Sequence, residues 1–429
     1  MSNYVDALLR EDSRLAQIFN VEADTLESGS ALIEDPFPGL ARLREKGSVQ
    51  KGALGDLLGY PGYHFQHHMA GYPTYSTLSF KATNQGLIRN DLFSSRIYYK
   101  LGVVDGFGET ILNKGGADHL RYRGPIQPMF SPQAAESWWN DTIIAETVEA
   151  LIRDIETKGG CDLSLDLCAR MPVHVVSAGF GIDPEEIISF RIAITGLLSH
   201  NATPQQRGQS MADARSILLK VITDRRSRPR EDIISKMIAA PIKDGDGTIR
   251  SWTDDEIISH CILIVLAGGG TTWRQLGITI YALLNHPEQL ALFMANRDMA
   301  GDVILEAARW HPTDLVFPRI VEQDTELEGV MLPKGAMLHL CLGSANRDPA
   351  RWENPDRFDI TRPVQRSLAF GGGPHSCLGQ HVSRQEMVVA LNAIFDRLPN
   401  LRWDPEQPPA RLIGDLFARG PSALPVLFG

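Results

Sequence analysis

From Thr253 to Asn285 the chain reads as one long helix. Thr253 and Glu256 stand at capping-box spacing at its start, Cys261 to Ala267 form an apolar run, and Pro287 forces its end. At 1.5 Å of rise per residue it spans roughly 50 Å, the width of a whole domain, yet its apolar run is too short to cross a bilayer. Such a helix is expected to pass through the centre of the protein. Between Asn140 and Met237 amphipathic helical patterns follow one another, separated by Gly159-Gly160, Asp183-Pro184 and Thr203-Pro204. Shorter helices are predicted over Leu40 to Lys46, after Asp35-Pro36-Phe37-Pro38, and over Val382 to Leu398. Strand-like alternation is confined to Tyr75 to Phe80, Leu315 to Val321 and Glu328 to Ser344, the last with a turn at Pro333-Lys334-Gly335. Leu54 to Pro73 and Arg96 to Gly116 read as irregular loops.

Composition narrows the class. The 429 residues, 43% of them hydrophobic, suffice for a large core, and no Pro/Ser linker or low-complexity block divides them. A formal net charge of -10 argues against nucleic acid as a global partner, since phosphate binding needs a basic field. The five cysteines (Cys161, Cys168, Cys261, Cys341, Cys377) are too few and scattered for a secreted disulfide framework, and their odd number leaves at least one free. A reducing cytoplasm fits that usage. Met1 to Asn20 carries Asp6, Arg10, Glu11, Asp12 and Arg14 with no apolar stretch, so neither a signal peptide nor a membrane anchor is expected there. His64, His67 and His68 lack flanking metal-ligating residues and read as surface loop. Lys243-Asp244-Gly245-Asp246-Gly247 resembles a calcium loop only in part, because Ile242 and Thr253 stand where carboxylates are needed; it reads as a plain turn.

Four features point to chemistry. Phe370-Gly371-Gly372-Gly373-Pro374-His375-Ser376-Cys377-Leu378-Gly379 places three glycines and a proline before a cysteine, just ahead of a predicted helix. Backbone N–H groups and the helix dipole there stabilise a thiolate, the form that binds metal. A lone cysteine in a turn is ordinarily a small packing residue; the whole spacing argues otherwise here. Gly268-Gly269-Gly270 interrupts the long helix at about 1 kcal/mol each relative to alanine. Close helix packing or the approach of a flat group to the backbone would explain that cost. His119 and Arg123 share a helix face and can reach one anion, where a solvated basic face is the ordinary alternative. Glu306 and Arg309 also share a helix face, a pair worth at most about 0.5 kcal/mol if exposed.

The cysteine segment resembles the haem-binding signature of the cytochrome P450 family, Phe-x-x-Gly-x-x-x-Cys-x-Gly, at every defined position. The long helix resembles the family's Ala/Gly-Gly-x-acid-Thr-Thr in Ala267, Gly268, Thr271 and Thr272, whereas Gly270 stands where the acid is expected. Asn354-Pro355-Asp356-Arg357-Phe358 resembles the family's Pro-x-Arg-Phe segment. The resemblance runs from about Asp35 to the C-terminus, so 1–34 are expected to form an N-terminal segment and 35–429 one catalytic domain.

That resemblance implies a mainly α fold with small β-sheets, with haem b held between the central helix and the Cys377 loop. Cys377 would be the axial iron ligand, with Phe370, Gly371 and Gly379 shaping its loop. His119, Arg123, Arg319 and His375 would face the haem propionates, and Glu306, Arg309 and Arg357 would form a structural triad behind the haem. Thr271 and Thr272, beside the departure at Gly270, would serve proton delivery to dioxygen. The implied activity is insertion of one oxygen atom of O2 into a hydrophobic small molecule, with electrons from a separate ferredoxin and reductase. Phe107, Leu263, Leu266, Ala267, Leu315 and Phe317 are expected to line the substrate pocket, and Arg121, Arg366 and Arg384 to offer a docking patch to an acidic ferredoxin. A peroxide-driven haem-thiolate oxygenase is an alternative that would explain the absent acid, although such enzymes carry Arg-Pro where this chain has Gly270-Thr271. A non-catalytic haem binder or sensor is another, with no added regulatory segment to favour it.

Overall fold

The computed structural model describes residues 19–60, 71–100, 108–198 and 202–429. The histidines at 64, 67 and 68 and Phe107 lie outside the described residues. The helices that position the site are α1 (Val21–Glu27), α2 (Gly116–Ile126), α3 (Arg170–Gly179), α4 (Asp254–Asn285), α5 (Ala300–Trp310) and α6 (Gln380–Arg397).

α4 is the long helix expected from the pattern, and 32 residues of it are continuous. The Thr253 hydroxyl accepts from the Glu256 amide while the Glu256 carboxylate accepts from the Thr253 amide, so two donors without helical partners are satisfied reciprocally. His286 and Pro287 end it and begin the next helix. α4 packs against α3, α5 and α6 within the main core. Among the described residues it is the one helix long and apolar enough to cross a membrane, and its burial inside the protein accounts for that composition.

The helix passes through Gly268-Gly269-Gly270 without a break, and the three glycines have different reasons. A Cβ at Gly269 would come within 2.8 Å of Val173 Cγ2 on α3, so helix packing excludes any larger residue there. At Gly268 and Gly270 the nearest atoms are Val176 Cγ2 at 3.5 Å and Arg274 Nη1 at 3.7 Å, ordinary contacts that leave room.

A five-stranded sheet flanks the helices: β1 (Val49–Lys51), β2 (Thr74–Thr77), β3 (Phe93–Ser94), β4 (Val316–Val321) and β5 (Met337–Cys341), in the order β1-β2-β5-β4-β3. Only β2 and β5 run parallel. β5 is buried at every position, as a strand covered on both faces must be. Immediately after it, Leu342–Ala345 turns into a short helix instead of continuing the expected strand pattern. The segment expected as loop from Leu54 opens with a helical turn, Leu54–Leu58, stopped by Gly59 in the left-handed conformation at φ 80°. The Asp244 to Gly247 segment is the turn of a hairpin pairing Ile242–Lys243 with Ile249–Arg250.

On α5, Arg309 grips Glu306 with two parallel hydrogen bonds, Nε to Oε2 at 2.7 Å and Nη2 to Oε1 at 2.8 Å, and both side chains are buried. The expected third member, Arg357, is corrected: its side chain is 61% exposed and its nearest carboxylate is Asp359 at 4.0 Å. Arg362 takes the place, reaching Glu306 Oε1 at 3.3 Å and the carbonyls of Glu353 and Asn354. The reason lies in the remaining Arg309 donors, which collect the carbonyls of Asn346, Pro355 and Arg357. The segment therefore turns its backbone to Arg309, and the Arg357 side chain points away.

Removing one partner of a buried ion pair strands the other, so Glu306→Ala should cost about 3 kcal/mol or more of stability. Arg357→Ala should stay within about 0.5 kcal/mol. Thermal melting of the two variants checks this, and equal losses would contradict the assignment.

Candidate functional site

The cysteine loop is built by glycine geometry. Gly371 and Gly373 adopt φ 68° and 64°, in the left-handed region. A Cβ at Gly373 would lie 2.5 Å from the Leu87 carbonyl oxygen, so only glycine lets the loop pass that backbone. The Cys377 amide donates to the Phe370 carbonyl at 2.9 Å and the Gly371 amide to Leu368 at 2.8 Å, which fixes the loop on itself. Gly379 caps α6, so the sulfur sits two residues ahead of the cap.

Cys377 is the only exposed cysteine; Cys161 is half-buried and the other three are buried. Burial nevertheless pushes its thiol pKa up, against the backbone N–H groups of Gly379 and Gln380 and the charge of Arg123, which pull it down. A sulfur that is reachable yet surrounded by protein faces an internal space. The middle of α4 behaves alike: Ala267 is exposed, and Leu263, Leu266, Gly268, Gly270 and Thr271 are half-buried, although the rest of the helix is mostly sealed in the core. The Thr272 hydroxyl donates to Ser383 Oγ at 3.0 Å, tying α4 to the helix that leaves the cysteine loop.

A cluster of basic side chains gathers beside that loop. His119 is buried with neither ring nitrogen hydrogen-bonded among the described residues, and its ring centroid lies 4.1 Å from that of His375. Arg123 donates to Gln127 and, at 2.9 Å, to the Ser376 carbonyl. Arg319 is buried, donates to the Pro318 carbonyl and leaves its Nε without a partner. Burial lowers His119 to about 4, helped by the Arg123 charge. His375 is held well below its ordinary value by burial and by Arg319, His119 and Arg123. Among the described residues no carboxylate acts on either imidazole or on Arg123. Buried donors and positive charges without an anion are costly. A ligand with carboxylates would relieve them, and one that also offers iron to the sulfur and a flat apolar face to α4 fits the whole arrangement. These residues therefore suit haem b.

The two threonines diverge. Thr271 keeps a half-buried position, its hydroxyl donating to the Ala267 carbonyl at 2.8 Å, whereas Thr272 is buried and joined to Ser383. At Gly270 the carbonyl accepts from Arg274 Nη1 at 2.6 Å, and Arg274 Nη2 reaches Asp24 Oδ2 at 3.1 Å on α1. Sequence reasoning missed Asp24, since nothing local signals a partner 250 positions away.

Of the expected pocket residues, Leu263, Leu266, Ala267 and Phe317 keep accessible surface, and Phe317 stands edge-on to Phe417 with ring centroids 5.5 Å apart. Leu315 is corrected: it is fully buried, packing where a Cβ on Gly343 would be 2.7 Å away, and presents no surface to a ligand. Its place immediately before β4 turns it into the second core cluster.

A cleft of about 370 Å³ opens beside Cys377, lined by Arg123, Gln127, Phe130, Gln380 and His381 among others. Of the arginines expected to form a docking patch, Arg366 is exposed. Arg121 is paired with Asp118 and Asp244, and Arg384 is half-buried over Gly301.

Comparison with known proteins agrees with this geometry. The family model for cytochrome P450 matches residues 293–426. Nocardicin C N-oxygenase of Nocardia uniformis subsp. tsuyamanensis is 32% identical over 323 residues, covering 74% of this chain and 79% of that protein. The biotin biosynthesis cytochrome P450 of Bacillus subtilis (strain 168) is 29% identical over 381 residues, covering 87% and 92%. Among solved structures, P450BioI in complex with a hexadec-9Z-enoic acid ligated acyl carrier protein superposes with a TM-score of 0.77 at 26% identity, covering 92% of this chain and 99% of that one. A helix-rich fold with small sheets, a cysteine loop matching the haem signature and relatives of this extent lead to one conclusion: the chain belongs to the cytochrome P450 family, the bacterial-type haem-thiolate monooxygenases.

Proposed function

We propose that the protein inserts one oxygen atom of O2 into a hydrophobic small molecule held against the uncovered face of α4, using electrons from a separate ferredoxin and reductase. The observation that carries this reading is the accessible Cys377 beside His119, Arg123 and His375, on which no carboxylate of the described residues acts. Cys377 would ligate the iron, and His119, Arg123, Arg319 and His375 would hold the propionates. When bound, haem with a thiolate ligand supplies the oxygen activation needed to oxidise an unactivated C–H bond.

The chain's own residues do the rest. The amides of Gly379 and Gln380 work against the burial that raises the thiol pKa, and so support the thiolate. Leu263, Leu266, Ala267 and Phe317 supply an apolar wall that excludes water and favours a hydrophobic substrate. The Thr271 hydroxyl, on the accessible side of α4, can hold a water or pass a proton; Thr272, tied to Ser383, steadies the helix. The cleft beside Cys377 and the exposed Arg366 favour docking of an acidic electron donor on that side. A cytoplasmic setting agrees with five cysteines that are all free.

Replacing the sulfur with a nitrogen ligand should separate haem binding from chemistry. Cys377→His should retain haem, lose the red-shifted absorption band of the carbon monoxide complex and lose nearly all oxygenase activity. A variant that kept both the band and the activity would refute the ligand assignment, and Cys161→Ala should leave the band in place. For the donor, Arg366→Glu should slow reduction and flatten its salt dependence while substrate affinity, read from the shift of the haem band, holds. Unchanged reduction kinetics in this variant would remove Arg366 from the docking surface.

A further inference from the structure

α4 carries no Asp or Glu between Ile257 and Asn285. Reduction of O2 by a monooxygenase consumes protons, so they must reach the accessible side of this helix by another route. Arg274, one turn beyond Gly270, is 8% exposed and bends back along the helix. Its Nη1 donates to the Gly270 carbonyl at 2.6 Å and its Nη2 to Asp24 at 3.1 Å. A second donor on a carbonyl inside a helix needs space beside the backbone. Gly270 provides it, since a Cβ there would meet only Arg274 Nη1, at 3.7 Å.

The pair leads from solvent inward: 19% of the Asp24 side chain and 9% of the Arg274 side chain are exposed. α1 is seated firmly enough to place a carboxylate. Phe19 just before it stands edge-on to Trp273 with ring centroids 5.4 Å apart, and Val21 is buried in the main core. Asn20 caps the helix by accepting from the Ala23 amide at 3.0 Å. Arg274 also lies over the Trp273 ring at 4.7 Å. Asp314 and Asp415, both buried, add negative field to the guanidinium, and Arg419 answers Asp415.

We propose that α1 is part of the oxygen-activating site: Asp24 and Arg274 act as positioning residues that bring solvent protons to Thr271. This rests on the monooxygenase reading above. The Asp24 carboxylate takes a proton from solvent and returns it to water ordered along the guanidinium, ending as it began. Arg274 stays protonated and orients that water without carrying a proton itself. The protons are those the oxygenase reaction already consumes, so no further oxidant or reductant is involved. The segment before Asp35 then belongs functionally with the catalytic domain.

The test uses the haem-loaded full chain with a ferredoxin and reductase, and whichever hydrophobic compound shifts the haem band most in a screen. Asp24→Asn should raise peroxide released per NADH about threefold or more and increase the solvent deuterium isotope effect, with the compound's affinity and the carbon monoxide band unchanged. Asp24→Glu should recover part of the coupling, and adding Gly270→Asp to Asp24→Asn should recover more. Glu22→Gln on the same helix should leave coupling as in the wild type. Independently of turnover, Asp24→Asn combined with Arg274→Gln should melt no lower than Arg274→Gln alone, because the Asp24–Arg274 pair is already broken in the latter. Unchanged peroxide release in Asp24→Asn overturns the proposal, as does an equal rise in Glu22→Gln or additive melting losses. A wild type that turns over no compound at all defeats the monooxygenase reading instead.

Discussion

Four basic side chains converge where a cysteine is left accessible inside a packed protein, and among the described residues no carboxylate acts on the two imidazoles or on Arg123. In a medium that desolvates charge, such an arrangement persists only if the rest of the fold holds it or a ligand completes it. Burial and the neighbouring arginines accordingly hold both imidazoles below their ordinary pKa. Much of the surrounding architecture serves to keep these groups in register: the loop folded on itself through Cys377 and Phe370, the Arg123 bond to Ser376, and β4 carrying Arg319 in from another part of the sheet.

The Glu306–Arg309 pair shows how such a register is maintained at a distance. Its guanidinium does more than answer one carboxylate, because it binds the carbonyls of Asn346, Pro355 and Arg357 and so gathers the chain that leads toward the cysteine loop. Arg362 then closes the charge around Glu306. Buried in this way, the pair loses much of its attraction to desolvation, and what it visibly supplies is the backbone that Arg309 gathers.

The glycine triplet of α4 combines several constraints in three positions. Gly269 answers to Val173 on the neighbouring helix, while Gly270 leaves its carbonyl open to a second donor. A helix that would be destabilised by about 1 kcal/mol for each glycine tolerates them because tertiary packing on α3, α5 and α6 supplies its stability.

By itself the sequence determined what is local. The Thr253–Glu256 capping box and the span of α4 follow from contacts within a few residues, where side-chain type dictates backbone geometry, whereas the close fit of Gly373 in the Cys377 loop is set by the Leu87 backbone, 286 positions away. The family signature singled out Cys377, and the wider resemblance pointed to His119, Arg123 and Arg319, which the structure gathers beside it. What only the tertiary structure decided involves partners far apart in the chain. Arg362 rather than Arg357 reaches Glu306 because the intervening backbone is turned toward Arg309, and Leu315 is drawn into the core by its packing on Gly343. Asp24 meets Arg274 across 250 positions, a contact that depends on how α1 docks against α4 and that no local pattern of hydrophobic and polar residues encodes.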